Sequence, residues 1–193
     1  MPAKSAVFLD NGYFKKVIAN DFPNCRPQNY LTFSDTIING SERLRTYVYD
    51  CPPYQSDPPN EIEMKLKSGF DKFKFTINRL PRFELRLGRL QKKMVDGKPV
   101  YKKDGTPSFT QKSVDMLMGV DIARMSWGKQ IDQAIIVAGD SDFVPAVLTA
   151  KEAGVLTKLY YSGQVSDALY DSADDRIMIT EELLKKCMLR KTP

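Results

Sequence analysis

The sequence predicts an α/β fold: a three-layer α/β/α sandwich built on a mainly parallel sheet, with residues 1–193 forming a single domain. Apolar runs such as 6–9 and 135–139 are typical of strands buried on both faces. These runs alternate with segments whose apolar residues recur at helical spacing, and such alternation favours parallel strands joined by helices. With 193 residues, the chain is long enough to bury the core of such a domain.

The predicted elements alternate along the whole chain. In order they are a strand at 5–10, helices at 13–19 and 29–39, a strand at 43–50, a helix at 60–79, a strand at 82–90, a helix at 108–126, a strand at 134–139, a helix at 143–153, a strand at 155–161, a helical turn at 166–171, a short strand at 177–179 and a helix at 181–189. The prolines of 51–60 end the second strand, because proline lacks the donor that a sheet needs. The last helix either closes a homodimer or caps the core.

A basic helix and flap are predicted at about 60–106. The apolar residues of the helix recur three and four positions apart, which predicts an amphipathic helix with lysines on its solvent face; they are Ile62, Leu66, Phe70, Phe73 and Ile77. Residues 91–106 contain two Asp-Gly turn signals and favour an exposed hairpin or flap.

The amino-acid composition excludes several classes of protein. There is no histidine, so catalytic triads and histidine-bound metals are excluded, and any metal would be a hard ion such as Mg²⁺ or Mn²⁺. The three cysteines lie far apart, which argues against disulfides and zinc sites and favours the cytoplasm. No apolar run approaches the roughly 18 residues of a membrane span, and no signal peptide is predicted.

Positive charge is concentrated in the middle of the chain. Residues 65–103 hold thirteen Lys and Arg against three Asp and Glu, a net charge of +10, so the remainder carries −5 of the total +5. Such a local excess indicates contact with a nucleic acid, although lysines that only solvate a helix and a loop would give the same pattern. The predicted nucleic-acid-binding residues are Lys72, Lys74, Arg86, Arg89, Lys92, Lys93, Lys102 and Lys103. Tyr13, Tyr101 and Phe109 could stack on bases, but core packing explains each of them more simply.

Acidic residues are predicted to converge at one edge of the sheet. Asp10 ends the first strand, Asp140 follows the apolar run at 134–139, and Asp142 comes two residues later. Asp115 lies near the start of the preceding helix, which begins above the same edge. Asp121 lies about 9 Å further along that helix and is expected to point away. A cluster of carboxylates at this edge would attract a divalent cation.

Each of these residues also has a purely structural explanation. Asp142 or Ser141 could cap the following helix, residues 10–12 could form only a turn, and Asp115 could be a solvated helix residue. Asp140 is harder to explain in this way, because a carboxylate directly after six apolar residues would be partly buried and needs a partner. Convergence of all four favours a functional cluster.

Several motifs together resemble the NYN-domain family, relatives of the PIN-domain nucleases. They are FLDNGYF at 8–14, LRLGRLQ at 85–91, QKSVD at 111–115, Asp121, VAGDSDFVPAV at 137–147 and the spacing of Ser166, Leu169, Ala173 and Asp174. The resemblance spans residues 6 to about 174, and it implies a PIN-like (Rossmann-like) sandwich and metal-dependent cleavage of RNA. The glycine that the family often has beside the lysine is Ser113 here. Members of the LabA-like branch are associated with regulation.

The family's acidic positions correspond to Asp10, Asp115, Asp140 and Asp142, with Asn11 beside the first and Ser141 between the last two. The resemblance implies that these carboxylates hold one or two Mg²⁺ or Mn²⁺ ions and carry catalysis. Lys112 is a candidate phosphate contact or a plain surface lysine.

Two other functions are alternatives to a ribonuclease. A haloacid-dehalogenase-like phosphatase needs Asp-x-Asp after the first strand, and Gly12 stands where the second aspartate would be. A non-catalytic regulatory module that binds RNA or protein through the same acidic pocket remains an alternative. RNA is the expected partner, with DNA left open and no membrane contact.

Overall fold

The structure, a computed structural model, describes residues 2–26, 28–92, 94–95, 98–101 and 109–189, with the backbone alone at 91, 92, 94, 99 and 109–112. The strands are β1 (Lys4–Asp10), β2 (Glu42–Asp50), β3 (Phe83–Leu87), β4 (Arg89–Lys92), β5 (Met94–Val95), β6 (Lys98–Pro99), β7 (Phe109–Lys112), β8 (Gln133–Val137), β9 (Leu156–Tyr161) and β10 (Asp175–Met178). The helices are α1 (Asn11–Asn20), α2 (Tyr30–Ile37), α3 (Glu61–Ile77), α4 (Val114–Trp127), α5 (Val144–Glu152), α6 (Asp167–Ser172) and α7 (Glu181–Lys186), and a 3₁₀ turn covers Ser141–Phe143.

Six strands form one parallel sheet in the order β10-β9-β8-β1-β2-β3. The chain moves outward from β1 in one direction through β2 and β3 and in the other through β8, β9 and β10. In the pairing of β1 with β8, Leu9 lies opposite Val137. The residues that follow these two strands therefore leave the sheet side by side at one edge.

Helices cover both faces of the sheet, as the predicted sandwich requires. Successive residues of a strand point to opposite faces, and the core divides accordingly. Ala6 and Phe8 pack with buried residues of α4, α5 and α6. Val7 and Leu9 pack with buried residues of α1, α2 and α7. The predicted α/β/α sandwich is confirmed.

The predicted helix at 108–126 is wrong over its first turn. Residues Phe109–Lys112 form β7, which pairs antiparallel with β4, and α4 begins at Val114. Ser113 stands between them with a φ of 73°, in the left-handed region that glycine adopts most easily. This conformation turns the chain from the strand into the helix, so the family's frequent glycine has a backbone reason.

The apolar stripe predicted on α3 is exposed over the first half of the helix and covered toward its end. The helix begins at a capping box in which Asn60 and Glu63 bond each other's backbone. Ile62 and Leu66 are 73% and 57% exposed, and within α3 only Ile77 is buried. Helical spacing correctly predicts the helix, but it does not predict what covers its apolar face, because that depends on the length of helix lying over the sheet.

The C-terminal helix caps the core. Leu184 of α7 is buried, and its carbonyl accepts a 3.1 Å hydrogen bond from the Gln28 side chain. Cys25, Cys51 and Cys187 are free and buried. Among the described residues, no helix combines the length and the apolar character that crossing a bilayer requires.

Candidate active site

A cavity of about 290 Å³ lies at the carboxyl ends of β1 and β8. Asp10, Asp115 and Asp140 line it together. Two of these residues follow neighbouring parallel strands, and the third lies in the first turn of α4. The structure therefore brings three of the four predicted acidic residues into one cavity, at the predicted edge of the sheet.

Two of the carboxylates also cap helices. The Asp10 side chain accepts a 3.0 Å hydrogen bond from the backbone N–H of Tyr13 at the start of α1. Asp140 Oδ1 accepts a 3.1 Å bond from the backbone N–H of Asp142 and lies 3.4 Å from the Ser141 hydroxyl. Asp140 thus caps the turn at Ser141–Phe143. The N-cap of α5 is Phe143, with no side-chain hydrogen bond, so the suggestion that Asp142 or Ser141 caps this helix is wrong. These bonds fix the carboxylates and leave other oxygen lone pairs free.

Asp142 lies in an adjoining groove rather than in the acidic cavity. This groove, between α4 and α5, has a volume of about 880 Å³ and is lined by Asp142, Ser141 and Asp115, among others. Asp115 lines both concavities. The fourth predicted carboxylate is therefore a neighbour of the other three.

The carboxylates repel one another. Burial raises the pKa of Asp10, and the charge of Asp115 raises it further, against opposing hydrogen bonds from Tyr13 and Gly12 and the charge of Lys16. Burial also raises the pKa of Asp115, and the charges of Asp140 and Asp142 add to this. The charges of all four aspartates are therefore coupled, and a bound cation would reduce the repulsion between them.

The remaining wall of the cavity contains residues that sequence reasoning missed. Gly12, Tyr13 and Lys16 come from α1, and Gly139 and Gln164 come from the loops after β8 and β9. Gly12 and Lys16 are four residues apart in α1, a spacing that could have indicated Lys16 as a cation facing the cavity. Gln164 follows a third strand that ends at this edge, but it carries no local signal.

Gly139 is the point of closest approach in this wall. A Cβ atom there would lie 2.8 Å from Tyr13 Cδ2 and 2.7 Å from the Gln164 carbonyl oxygen, both below the contacts that real side chains make. The Gly139 carbonyl also accepts a 2.8 Å bond from the Ser166 backbone. Only glycine lets α1 and the loop after β9 meet at this point.

The donor set suits a hard divalent cation, because it consists of carboxylate oxygens around a cavity with raised carboxyl pKa values. Across the described ranges, no group of three or more His, Cys, Asp or Glu side chains is arranged to hold one metal ion. Mg²⁺ commonly uses one or two carboxylates and keeps several waters. The residues therefore fit such an ion in chemistry, and the ligand set stays a prediction.

Asn11 faces away from the cavity. It is fully buried, donates a 2.6 Å hydrogen bond to Asp50 and accepts one of 2.6 Å from the Tyr30 hydroxyl. Asp50, at the end of β2, is also bonded to Lys15 at 2.8 Å. The predicted support from Asn11 is therefore indirect: it ties the turn after β1 to β2. Asp50 has the same strand-end signal as Asp10, but a lysine neutralises it.

Asp121 points away from the cavity, as predicted. It is buried, accepts a 3.0 Å bond from the Tyr49 hydroxyl, and pairs with Arg86 and Arg124 at 3.2 Å each. Arg86 also pairs with Glu84 at 2.9 Å. The guanidinium of Arg86 is held in these ion pairs, and its side chain is 33% exposed, so its contact with nucleic acid stays a prediction.

The other predicted nucleic-acid contacts differ in what the structure shows. Lys72 and Lys74 of α3 and Arg89 of β4 are exposed. Lys92 and Lys112 are described by their backbone alone, and Lys93, Lys102 and Lys103 lie outside the described residues. Lys112 belongs to β7 and pairs with Arg89 across the hairpin, so its expected place on the helix is wrong.

The three aromatic residues that could stack on bases differ in what the structure shows of their side chains. Tyr13 is only 9% exposed and its hydroxyl accepts a bond from the Ser162 backbone, so it belongs to the core. Tyr101 is exposed. The side chain of Phe109 is not among those described.

Replacing Asp115 with asparagine is expected to stabilise the metal-free protein at neutral pH. Because the pKa of Asp115 is raised above 3.8, the folded state takes up its proton more readily than the unfolded chain, and the ionised form weakens the fold. This penalty is present above the raised pKa and is lost as pH falls through it. The substitution also loses the favourable interaction of the Asp115 charge with the α4 N-terminus. We therefore expect the free energy of unfolding to rise by about 0.5 kcal/mol net, which is roughly 1–2 °C in Tm.

Thermal melts in EDTA between pH 4 and pH 7 measure this effect. The difference between variant and wild type should shrink toward the acidic end. Asp167→Asn removes an exposed first-turn aspartate from α6 and controls for the helix-terminus effect. A variant less stable than wild type at pH 7 would contradict mutual repulsion.

Comparisons with known proteins agree with this architecture. The family model described as NYN domain matches residues 21–181, a segment that includes Asp115, Asp140 and Asp142. The crystal structure of a protein of unknown function from Vibrio parahaemolyticus superposes with a TM-score of 0.59 at 19% identity, over 94% of this chain and 95% of that one. At that identity the similarity shows a shared fold. No curated protein matches the chain.

Proposed function

The chain belongs to the NYN-domain family, and from that premise we propose that it is a divalent-metal-dependent ribonuclease that hydrolyses phosphodiester bonds in RNA. The observation that carries the proposal is the cavity that Asp10, Asp115 and Asp140 share at the carboxyl edge of the sheet. In open α/β sheets this edge is where ligands bind. The raised pKa values of Asp10 and Asp115 support the same conclusion, because perturbed groups cluster at functional sites.

One or two of the carboxylates of Asp10, Asp115 and Asp140 would hold Mg²⁺ or Mn²⁺ directly, and the remaining ones, with Asp142, would act through water. Such an ion, when bound, lowers the pKa of its water and stabilises negative charge on a phosphate. The chain's own contribution is to fix these oxygens: the caps of α1 and of the turn at Ser141–Phe143 hold Asp10 and Asp140 in place. This arrangement needs no histidine.

Lys16 would bind the phosphate in this cavity. It is a basic residue in the cavity wall, and its charge already lowers the pKa of Asp10. A phosphodiester seated between Lys16 and the carboxylates would meet positive charge on one side. The ring of Tyr13, a residue of α1, lies against Gly139 and closes this wall.

The basic region at about 60–106 would bind the RNA backbone. Lys72, Lys74 and Arg89 are exposed there, and the undescribed Lys93, Lys102 and Lys103 add charge in the same stretch of sequence. Binding through such contacts releases counterions and weakens steeply with salt. Lys92 and Lys112 remain predicted contacts of the same kind.

A regulatory module that binds RNA or protein without cleaving it is the second candidate. The observation that favours it is that the described residues form no ready group of three metal-ligating side chains. Such a module would keep the acidic cavity and its affinity for a cation. The module differs from the ribonuclease in that it leaves RNA uncleaved.

Metal binding and cleavage measured together separate these candidates. For the ribonuclease, we expect Mn²⁺ at a hundredfold excess over Kd to raise the free energy of unfolding by about 2.7 kcal/mol, which raises Tm. Mn²⁺ should also support cleavage of an end-labelled single-stranded RNA. EDTA should abolish both effects. The DNA oligonucleotide of the same sequence tests the choice of sugar.

A rise in Tm without cleavage would favour the regulatory module. If Mn²⁺ neither raises Tm nor supports cleavage, the proposal of a metal-dependent ribonuclease is overturned. Wild-type protein in NaCl at the same ionic strength controls for nonspecific ionic stabilisation.

A further inference from the structure

A second cavity lies against another face of α1. Its volume of about 710 Å³ is within the range of small-ligand sites. Residues of α1, of the loop before α2, of the end of α3 and of the segments that follow α3 and α7 line it. Lys16 of α1 lines the acidic cavity, whereas its neighbours Lys15 and Ile18 line this one. The proposed ribonuclease makes no use of this second cavity.

The walls of the second cavity are mainly apolar. They include the side chains of Ile18, Tyr30, Phe73, Ile77, Leu80 and Leu189. The ring centroids of Tyr30 and Phe73 lie 5.5 Å apart at an interplanar angle of 60°. A ligand with an apolar body would lose water-exposed surface here, which favours its binding.

Gln28 supplies a hydrogen-bond acceptor in the lining of this cavity. The residue is 8% exposed, and its Nε2 donates to the backbone carbonyls of Cys25 and Leu184 at 2.5 and 3.1 Å. These two bonds fix the orientation of the amide. Its Oε1 is buried, and no group in the described part of the chain donates to it. Because buried polar groups are normally hydrogen-bonded, this oxygen is suited to a donor carried by a ligand.

Positive charge lies on the solvent side of the cavity. Arg26 and Lys15 both line it. Lys15 is paired with Asp50 at 2.8 Å, whereas Arg26 is exposed. None of the described lining residues is acidic, and the undescribed Pro27 and residues 190–193, which adjoin the lining in sequence, add no acidic side chain. The charge therefore favours an anionic group, and arginine binds a carboxylate through two parallel N–H donors.

We propose that this cavity binds a small amphipathic acid, with its apolar chain among the aromatic and aliphatic side chains, its carboxylate on Arg26 and a hydroxyl that donates to Gln28 Oε1. Arg26 and Gln28 are two residues apart in one loop, so their backbones are at most about 7 Å apart. The hydroxyl of the ligand therefore stands close to its carboxylate. The ligand class is a 3-hydroxy carboxylic acid with an apolar chain. Its binding requires neither a metal nor RNA, so the inference goes beyond the proposed function.

Calorimetric titration of the wild-type chain with 3-hydroxydecanoate in EDTA tests this inference. We expect saturable binding of one molecule per chain. Decanoate, which lacks the hydroxyl, should bind about fivefold more weakly, and methyl 3-hydroxydecanoate, which lacks the charge, about tenfold more weakly. Equal affinities for the three compounds would overturn the assignment of the carboxylate and the hydroxyl to Arg26 and Gln28.

Two variants of exposed residues locate the binding. Arg26→Gln is expected to weaken binding of 3-hydroxydecanoate about tenfold and to leave binding of the methyl ester unchanged. Arg79→Gln, which removes another exposed arginine that is not among the described lining residues, is the matched control. Ala19→Trp places a large ring at an exposed lining residue of α1 and should block all three compounds.

Thermal melts show whether each variant keeps its fold. Binding that is unaffected by Arg26→Gln and by Ala19→Trp lies elsewhere on the protein and overturns the inference. No binding of 3-hydroxydecanoate to the wild-type chain overturns it as well. Neither result affects the proposed ribonuclease, because metal binding and RNA cleavage are measured without this ligand.

Discussion

Replacing Asp140 with asparagine is expected to lower Mn²⁺-dependent RNA cleavage by more than about 100-fold, because losing a metal ligand should exceed the 10- to 100-fold effect of losing its outer-shell partners. Asp140 is exposed, so the partial burial expected from the preceding apolar run is wrong. Its Oδ1 caps the turn at Ser141–Phe143. Asparagine offers the same oxygen to the backbone and caps as well as aspartate. The substitution thus removes a charge and little else, so Tm in EDTA should stay within about a degree.

Initial rates on an end-labelled RNA, with melts of each variant, measure this effect. Asp10→Asn is expected to act in the same way, since asparagine also preserves the cap of α1. Asp167→Asn should cleave at the wild-type rate. If Asp140→Asn cleaves as fast as wild type, the acidic cavity is not the active site.

Replacing Gly139 with alanine is expected to lower both stability and cleavage. The added methyl group would overlap the Tyr13 ring and the Gln164 carbonyl oxygen. Neither can withdraw easily, because the Tyr13 hydroxyl is bonded to the Ser162 backbone at 2.9 Å and the other contact is backbone. We expect a loss of about 1–3 kcal/mol, as for other overpacked sites, or roughly 2–4 °C in Tm per kcal/mol.

Gly163→Ala is the matched control for this substitution. Its added Cβ would have no heavy atom within 4 Å, and it lies in the same loop as Gln164. Thermal melts and cleavage rates of the two variants should therefore differ sharply. If Gly139→Ala is as stable and active as Gly163→Ala, the residues around Gly139 accommodate the added methyl group, and the prediction is wrong.

The convergence of the acidic residues could be predicted from sequence because it depends on topology. Asp10 and Asp140 each follow a buried apolar run, and parallel strands deliver their carboxyl ends to one edge. The position of Asp115 near the start of the helix above that edge predicts its place in the cluster, and the distance of Asp121 along the same helix predicts that it points away. These inferences use only spacing and the direction of the chain.

Features that depend on partners distant in sequence could not be predicted in this way. Asn11 lies next to Asp10 but is drawn away by Asp50 and Tyr30. Arg86 belongs to the basic segment, yet Asp121 engages it across the sheet edge. Gln164 reaches the cavity only because its loop folds over Gly139. In each case a tertiary contact overrides the local pattern.

The ion pairs of Asp121 fix the position of α4 beside the acidic cavity. Asp121 anchors α4 to Tyr49 of β2 and to Arg86 of β3, and Asp115 stands on the same helix. Sliding α4 would strip a buried carboxylate of its partners, a change that typically costs 3–5 kcal/mol. The height of Asp115 above the sheet is therefore set when the chain folds. In the proposed ribonuclease, the Asp115 carboxylate would therefore be in place before a substrate binds.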